Sequence, residues 1–361
     1  MSSKITVGFD EVFSLEAMYE ALRHASKGRR YKPEVLKYNL DPYPHLKALQ
    51  DEIYSGTYRI DRYHIFFIRE PKKRMIMSIA FKHRIVQWCI YQALHPLLVN
   101  GYIKDTYGCI PGRGTHKAVE RVRYWLGKAE RQGKRLFYLK FDISKYFYRV
   151  DHKILEAIIR KKIKDRRLCD LLARIINCEH TAFGLPSGKS PEDVPMSERL
   201  YDVGMPIGNL MSQIFANLYL DNLDQFVKRK LRAHMYVRYM DDGIILSESK
   251  EELHRWHKKI EKFLSDRLRL DLNRKTCIRP VSQGIEFVGY RIWPGYTAVR
   301  KSSSKHMKRR MKKAMSDYRS GSATVEDCRA LYMNYKAILD KCDCDALERK
   351  ILGDFILTKE T

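Results

Sequence analysis

The segment RYMDDGIILS (residues 238–247) constrains this chain more than any other: strand-like residues 236–240 and 244–246 flank adjacent aspartates, Asp241 and Asp242. Asp242-Gly243 reads as a hairpin turn signal. Two carboxylates this close repel each other, and the arrangement is costly unless a cation neutralises it. For an isolated Asp-Asp-Gly the simpler reading, a solvated acidic turn, would prevail. A second segment, RLFYLKFDISKYF (135–147), changes that balance. Phe137, Leu139, Phe141 and Ile143 alternate to one face of a predicted strand, while Tyr138, Lys140 and Asp142 take the other. If this strand lies beside the hairpin, Asp142, Asp241 and Asp242 converge on a site able to hold two Mg²⁺ about 3.5 to 4 Å apart. Hard oxygen ligands select Mg²⁺ over softer metals.

Around these segments the pattern is mixed. Residues 1–60 read as mostly helical, with Phe13, Leu15, Met18 and Leu22 recurring at three and four. YHIFFI and RMIMSIAF flank the polar turn REPKK, the pattern of a basic-tipped hairpin over 63–79. Helices are expected near 82–98, 115–132, 152–177, 209–230 and 250–267, strands at 135–143 and near 276–292, a hairpin around 235–247 and a polar loop over 184–207. From Lys301 onward only helix-like sequence remains. Strands and helices without strict βαβ repetition predict an α+β core.

Composition narrows the partner. Lys and Arg total 69 against 43 Asp and Glu, a formal charge of +26 spread along 361 residues, so a large polyanion is favoured over an acidic protein. Eight scattered cysteines without a C-x-x-C pair and an N-terminus without an apolar signal core predict a reducing, cytoplasmic setting. The longest apolar run, 85–99, contains Gln87, Gln92 and His95 and is too short to span a bilayer, so no membrane segment is expected.

Taken in order, several segments resemble those of reverse transcriptases over nearly the whole chain. IREPKKRMIMSIAFKHRIVQ (68–87) resembles the fingers motif and DTYGCIPGRGTHKAV (105–119) the next block. KFDISKYF (140–147) resembles motif A, GMPIGNLMSQ (204–213) motif B and YMDD (239–242) motif C. LNRKT (272–276) resembles motif D and GIEFVGYRI (284–292) the primer-grip region. Each is weak alone; seven in sequence are specific. Motif B departs from the common Gln-Gly form: Ile207-Gly208 is followed by Ser212-Gln213, an I-G-x-x-x-S-Q pattern similar to the reverse transcriptases of diversity-generating retroelements.

The resemblance implies a right-hand polymerase with fingers over 1–100, a palm with an antiparallel sheet and remaining fingers elements over 101–298, and a small helical thumb over 299–361. It implies Asp142, Asp241 and Asp242 as catalytic metal ligands, joined by Ile143, with Mn²⁺ a possible substitute for Mg²⁺. Arg69 and Arg74 would hold the incoming dNTP through bidentate phosphate contacts, or else be surface charges on a hairpin tip. Phe147 matches the aromatic residue that excludes a 2′-hydroxyl, with Tyr146 the alternative gate and plain core packing the simpler reading. Ile207, Gly208, Gln213 and Lys275 complete the nucleotide site. Ile207 lacks a side-chain amide, and the resemblance links that loss to misincorporation opposite template adenines. Arg113 and the helical face Lys305, Lys308, Arg309 and Lys312, with Ser302 to Ser304 as candidate caps, would contact template and primer phosphates, although a solvated basic face is the usual meaning of such a run.

The expected partners are template RNA and its cDNA, dNTPs, and a small basic accessory protein that forms a multimeric barrel. Two alternatives stay open: another bacterial class (retron, phage-defence or group II intron-like), and a non-catalytic RNA-binding scaffold. Three converging acids would only destabilise a scaffold.

Overall fold

The computed structural model describes residues 4–60, 62–68, 74–186, 188–353 and 355–358. The fold is α+β, and the chain divides into two compact units. One comprises residues 1–104, 143–232 and 258–274, the other 105–142, 233–257 and 275–361. Each unit is built from segments distant in sequence.

The first unit is mainly helical. Helix Leu15–Ser26 begins at Ser14, whose hydroxyl accepts from Ala17 N, and packs Met18, Ala21, Leu22 and Ala25 toward helix Phe81–Val99. The same long helix packs against Leu210–Gln225, which is buried almost all round because it also meets His152–Lys162. An antiparallel hairpin joins β1 (His64–Ile68) to β2 (Arg74–Ser78), with His64 opposite Ser78 and Ile68 opposite Arg74. Its tip, including Arg69 and Lys72, lies outside the described residues.

The second unit holds an antiparallel sheet built from β3 (Phe137–Asp142), β4 (Tyr236–Tyr239), β5 (Asp242–Ser247) and β6 (Cys277–Pro280), in the order β4-β5-β3-β6. A second sheet runs β7 (Ile285–Phe287), β8 (Tyr290–Trp293), β9 (Tyr296–Val299). Tyr138, Ile244 and Leu246 from the first sheet, Ile285, Phe287 and Ile292 from the second, and Val122, Trp125 and Leu126 from helix Thr115–Arg131 form one core. Each such side chain contributes about 1.5 to 3 kcal/mol on burial. That core fixes the face of β3 carrying Tyr138, and with it the direction of Lys140 and Asp142 two and four residues on.

Strand β9 was not expected from the sequence. Pro294-Gly295 supplies its turn, with Gly295 at φ 67°, and Val299 at its end joins the core of the C-terminal helices Lys301–Arg319 and Val325–Leu339. The cap expected from Ser302 to Ser304 is also corrected. The helix starts at Lys301 with Arg300 as N-cap and no side-chain cap, and Ser302 Oγ instead accepts from Arg300 Nε at 2.7 Å.

Candidate active site

β3 and β5 pair with Asp142 directly opposite Asp242, and β4 and β5 pair with Tyr239 opposite Asp242. The two-residue turn of the hairpin is therefore Met240-Asp241, two residues before the position expected from Asp242-Gly243. Met240 adopts a left-handed φ of 54°, a conformation that costs a non-glycine residue about 1 to 2 kcal/mol. Gly243 lies inside β5, opposite Phe141, and a Cβ there would come within 2.3 Å of the Phe141 ring. The glycine of this motif thus serves strand packing rather than the turn. It lets the large apolar residue before Asp142 lie flat across the hairpin, where Phe141 stacks on Tyr236 with ring centroids 6.3 Å apart.

The three aspartates come from a strand end, a turn and a strand start, and all three are half-buried. Burial pushes the Asp242 carboxyl up to about 7, and the negative charges of Asp142 and Asp241 push the same way, against the opposing pull of Lys140. Lys140 Nζ lies 3.6 Å from Asp242 Oδ2 and donates to Glu286 O at 2.6 Å. Asp242 Oδ1 is buried without a hydrogen-bond partner. A buried acceptor inside a like-charge cluster suits a divalent cation, which would satisfy the oxygen and cancel the repulsion. The expected convergence is met at the level of the backbone only. Among the described residues no three His, Cys, Asp or Glu side chains form a set spaced to hold a metal ion.

Residues 105–108 support the hairpin, which sequence reasoning missed. Thr106 forms a parallel bridge with Arg238, Arg238 N donates to Asp105 O at 3.0 Å, and Tyr107 N donates to Arg238 O at 2.9 Å. The side chain of Arg238 is fully buried and donates to Met240 O at 2.7 Å. A buried arginine within a strand of apolar neighbours was the available signal, because such a charge is kept only with partners. Arg113 is half-buried and donates to Thr106 O at 3.3 Å. Lys275 is exposed at the head of β6.

The metal-site candidate Ile143 and the remaining nucleotide-site candidates with described positions belong to the first unit. Ile143 is buried and bridges Leu272. Tyr146 is 2% exposed and donates to Ala216 O at 2.7 Å, whereas Phe147 is half-buried. Arg74 opens β2 and is exposed. Ile207 O accepts from Met77 N at 3.0 Å, and Asn209 Nδ2 donates to Met77 O at 3.0 Å, so β2 is clamped to the loop before helix Leu210–Gln225. Gly208, at φ 104°, leaves room for Ile76, whose Cγ2 would lie 2.9 Å from an added Cβ. Gln213 is half-buried on that helix. In the second unit, helix Lys301–Arg319 buries Met307 and Met311 and carries exposed Lys305, Arg309 and Lys312, with Lys308 half-buried. Among the described residues no helix is long and apolar enough to cross a membrane.

Comparison with known proteins agrees with this geometry. The chain is 26% identical over 283 residues to Protein YkfC of Escherichia coli strain K12, covering 68% of this chain and 71% of that protein. It is 22% identical over 330 residues to the group II intron-encoded protein LtrA of Lactococcus lactis subsp. cremoris, covering 73% of this chain and 52% of LtrA. Among solved structures, telomerase from Candida tropicalis, in complex with a TWJ fragment of telomeric RNA, superposes with TM-score 0.50 at 15% identity. That match covers 87% of this chain and 59% of the telomerase chain, and at this identity it speaks for the right-hand polymerase fold alone. The family model "Reverse transcriptase (RNA-dependent DNA polymerase)" matches residues 69–292, a span that includes Asp142, Asp241 and Asp242, and the chain belongs to that family.

Proposed function

We propose that this chain extends a primer with deoxynucleotides on an RNA template, with Asp142, Asp241 and Asp242 as catalytic residues. The observation that carries the reading is the register of β3 on β5, which sets Asp142 opposite Asp242 beside a buried, partnerless Oδ1. Two divalent ions held by these carboxylates and the Ile143 carbonyl would supply Lewis-acid activation of the primer hydroxyl and neutralise charge on the departing pyrophosphate. Lys140 tempers the acid cluster from one side. Arg74, Arg69 and Lys275 offer phosphate donors, and Gly208 admits close approach of the base pair. Arg113 and the Lys305, Lys308, Arg309 and Lys312 face supply backbone contacts to nucleic acid. Phe147 is the better gate against a 2′-hydroxyl, because Tyr146 is committed to Ala216 O. In these terms residues 1–100 act as fingers, 101–298 as palm with remaining fingers elements, and 299–361 as thumb. Single-turnover deoxynucleotide addition on RNA tests the assignment: Asp142→Asn or Asp241→Asn should lower the rate on the order of 10²- to 10³-fold. Folded wild type that binds RNA but adds nothing with Mg²⁺ or Mn²⁺ would support the scaffold reading instead.

Ile207 carries a narrower reading, that the polymerase belongs to a diversity-generating retroelement and is error-prone at template adenines, assisted by a basic accessory protein. Its backbone carbonyl is engaged by Met77 N, while its side chain offers no hydrogen-bond donor. The similarity to LtrA favours a second reading, a group II intron-like enzyme. Sequencing of products made from template RNA separates them, because adenine-specific errors are expected only under the first.

A further inference from the structure

The segment Asp105–Gly108 and the buried Arg238 do more than fill space beside β4. The turn residue Met240 sits in a left-handed conformation, and two independent features hold it there. Arg238 donates to Met240 O at 2.7 Å from a side chain with no solvent exposure. Gly108 lies against the turn so closely that a Cβ on it would stand 2.5 Å from Met240 Cγ and 2.7 Å from both Met240 N and Sδ. The contact to the backbone nitrogen matters most, because a side chain can rotate away and a backbone atom moves only with the turn. The flank is fixed in turn by the Thr106–Arg238 bridge and by Arg121 Nε, which holds Asp105 Oδ1 at 2.8 Å and stacks its guanidinium 4.8 Å from the Trp125 ring centre. Asp241 is the residue next to Met240, so anything that shifts the turn shifts a carboxylate relative to Asp142 and Asp242.

We propose that Gly108 and Arg238 are positioning residues that lock the Met240-Asp241 turn and thereby set the divalent-cation affinity of the aspartate cluster. The inference rests on the proposed function for the role of the cluster, and its test includes a readout independent of polymerisation. Supporting groups around metal ligands change affinity or activity by about 10- to 100-fold when altered, and the same range is expected here.

The experiment uses the full chain as wild type, Gly108→Ala and Arg238→Lys, the last keeping the charge but losing the planar fork. Thermal melting without metal reports folding. Mn²⁺ binding followed by electron paramagnetic resonance reports cation affinity, and Mg²⁺ titration of deoxynucleotide addition reports its catalytic consequence. The expected result is folded variants whose Mn²⁺ affinity falls about 10-fold or more and whose half-saturating Mg²⁺ rises in parallel, with template–primer affinity within about twofold of wild type. Should Arg238→Lys fail to fold, Gly108→Ala decides. Mn²⁺ affinity equal to wild type, with any loss of rate matching the fraction unfolded, overturns the proposal. If wild type adds no nucleotide, the polymerase reading fails. A 10-fold difference in Mn²⁺ affinity between wild type and Gly108→Ala would still support the lock, and equal affinities would still refute it.

Discussion

Replacing Asp242 by asparagine tests the electrostatics of the cluster in the metal-free protein. Asp242 is raised from its ordinary 3.8 to about 7, first by burial and then by Asp142 and Asp241, with Lys140 opposing. At roughly 1.36 kcal/mol per pH unit, ionising the folded side chain costs on the order of 4 kcal/mol. The sign follows from where the proton resides. Below about pH 4 folded and unfolded chains both hold it, and the contribution to stability is complete; as pH rises toward 7 only the folded chain keeps it, so stability falls, and above 7 the loss is complete. Asparagine never ionises. Urea denaturation in EDTA should therefore show the wild type losing about 3 kcal/mol relative to Asp242→Asn between pH 5 and pH 8. Added Mg²⁺ at pH 8 should stabilise the wild type selectively, because a ligand that binds only the folded state shifts unfolding by mass action. Parallel pH curves for the two proteins, without metal, would show that Asp242 ionises like a solvated acid, and the account of the cluster would fail.

Gly243→Ala should cost about 1 to 3 kcal/mol in urea unfolding, through the clash of its Cβ with the Phe141 ring, and Phe141→Leu in the same chain should recover part of it. Phe147→Ala should admit ribonucleotides in single-nucleotide extension, whereas unchanged sugar discrimination would remove Phe147 from the gate. Ile207→Gln should lower misincorporation opposite template adenines if the missing amide matters, and an unaltered error spectrum would show that it does not. Lys308→Glu with Arg309→Glu should weaken template–primer binding and reduce the log–log salt slope by about 0.7 to 0.9 per lost phosphate contact, measured by fluorescence anisotropy.

The elements with strong local signals were legible from residues alone. The alternation of residues 137–142 placed a strand ending in Asp142, and the periodicity of 82–98 and 115–132 placed helices that end within a residue of Phe81–Val99 and Thr115–Arg131. Strand β9 was hidden because four residues after Pro294-Gly295 carry too little alternation to stand out beside the long basic helix that follows. The hairpin turn was misplaced for a related reason. Glycine after aspartate signals a turn locally, yet here its missing Cβ answers to the ring of Phe141, a residue about a hundred positions away in sequence. Tyr146 and Phe147 show the same division: they are adjacent aromatic residues in sequence, and burial and the bond from Tyr146 to Ala216 O tell them apart.

By itself, then, the sequence determined the local chemistry: which stretches alternate, where carboxylates stand at strand ends, how strongly positive the chain is, and the ordered motifs that mark its family. Tertiary structure decided the register that sets Asp142 against Asp242, the burial of a partnerless oxygen on Asp242, and the backing of the Met240 turn by Gly108 and Arg238. Periodicity is a property of neighbours along the chain and survives in one dimension. Register, close approach and desolvation arise between residues far apart in sequence, so they exist only once the chain has closed upon itself.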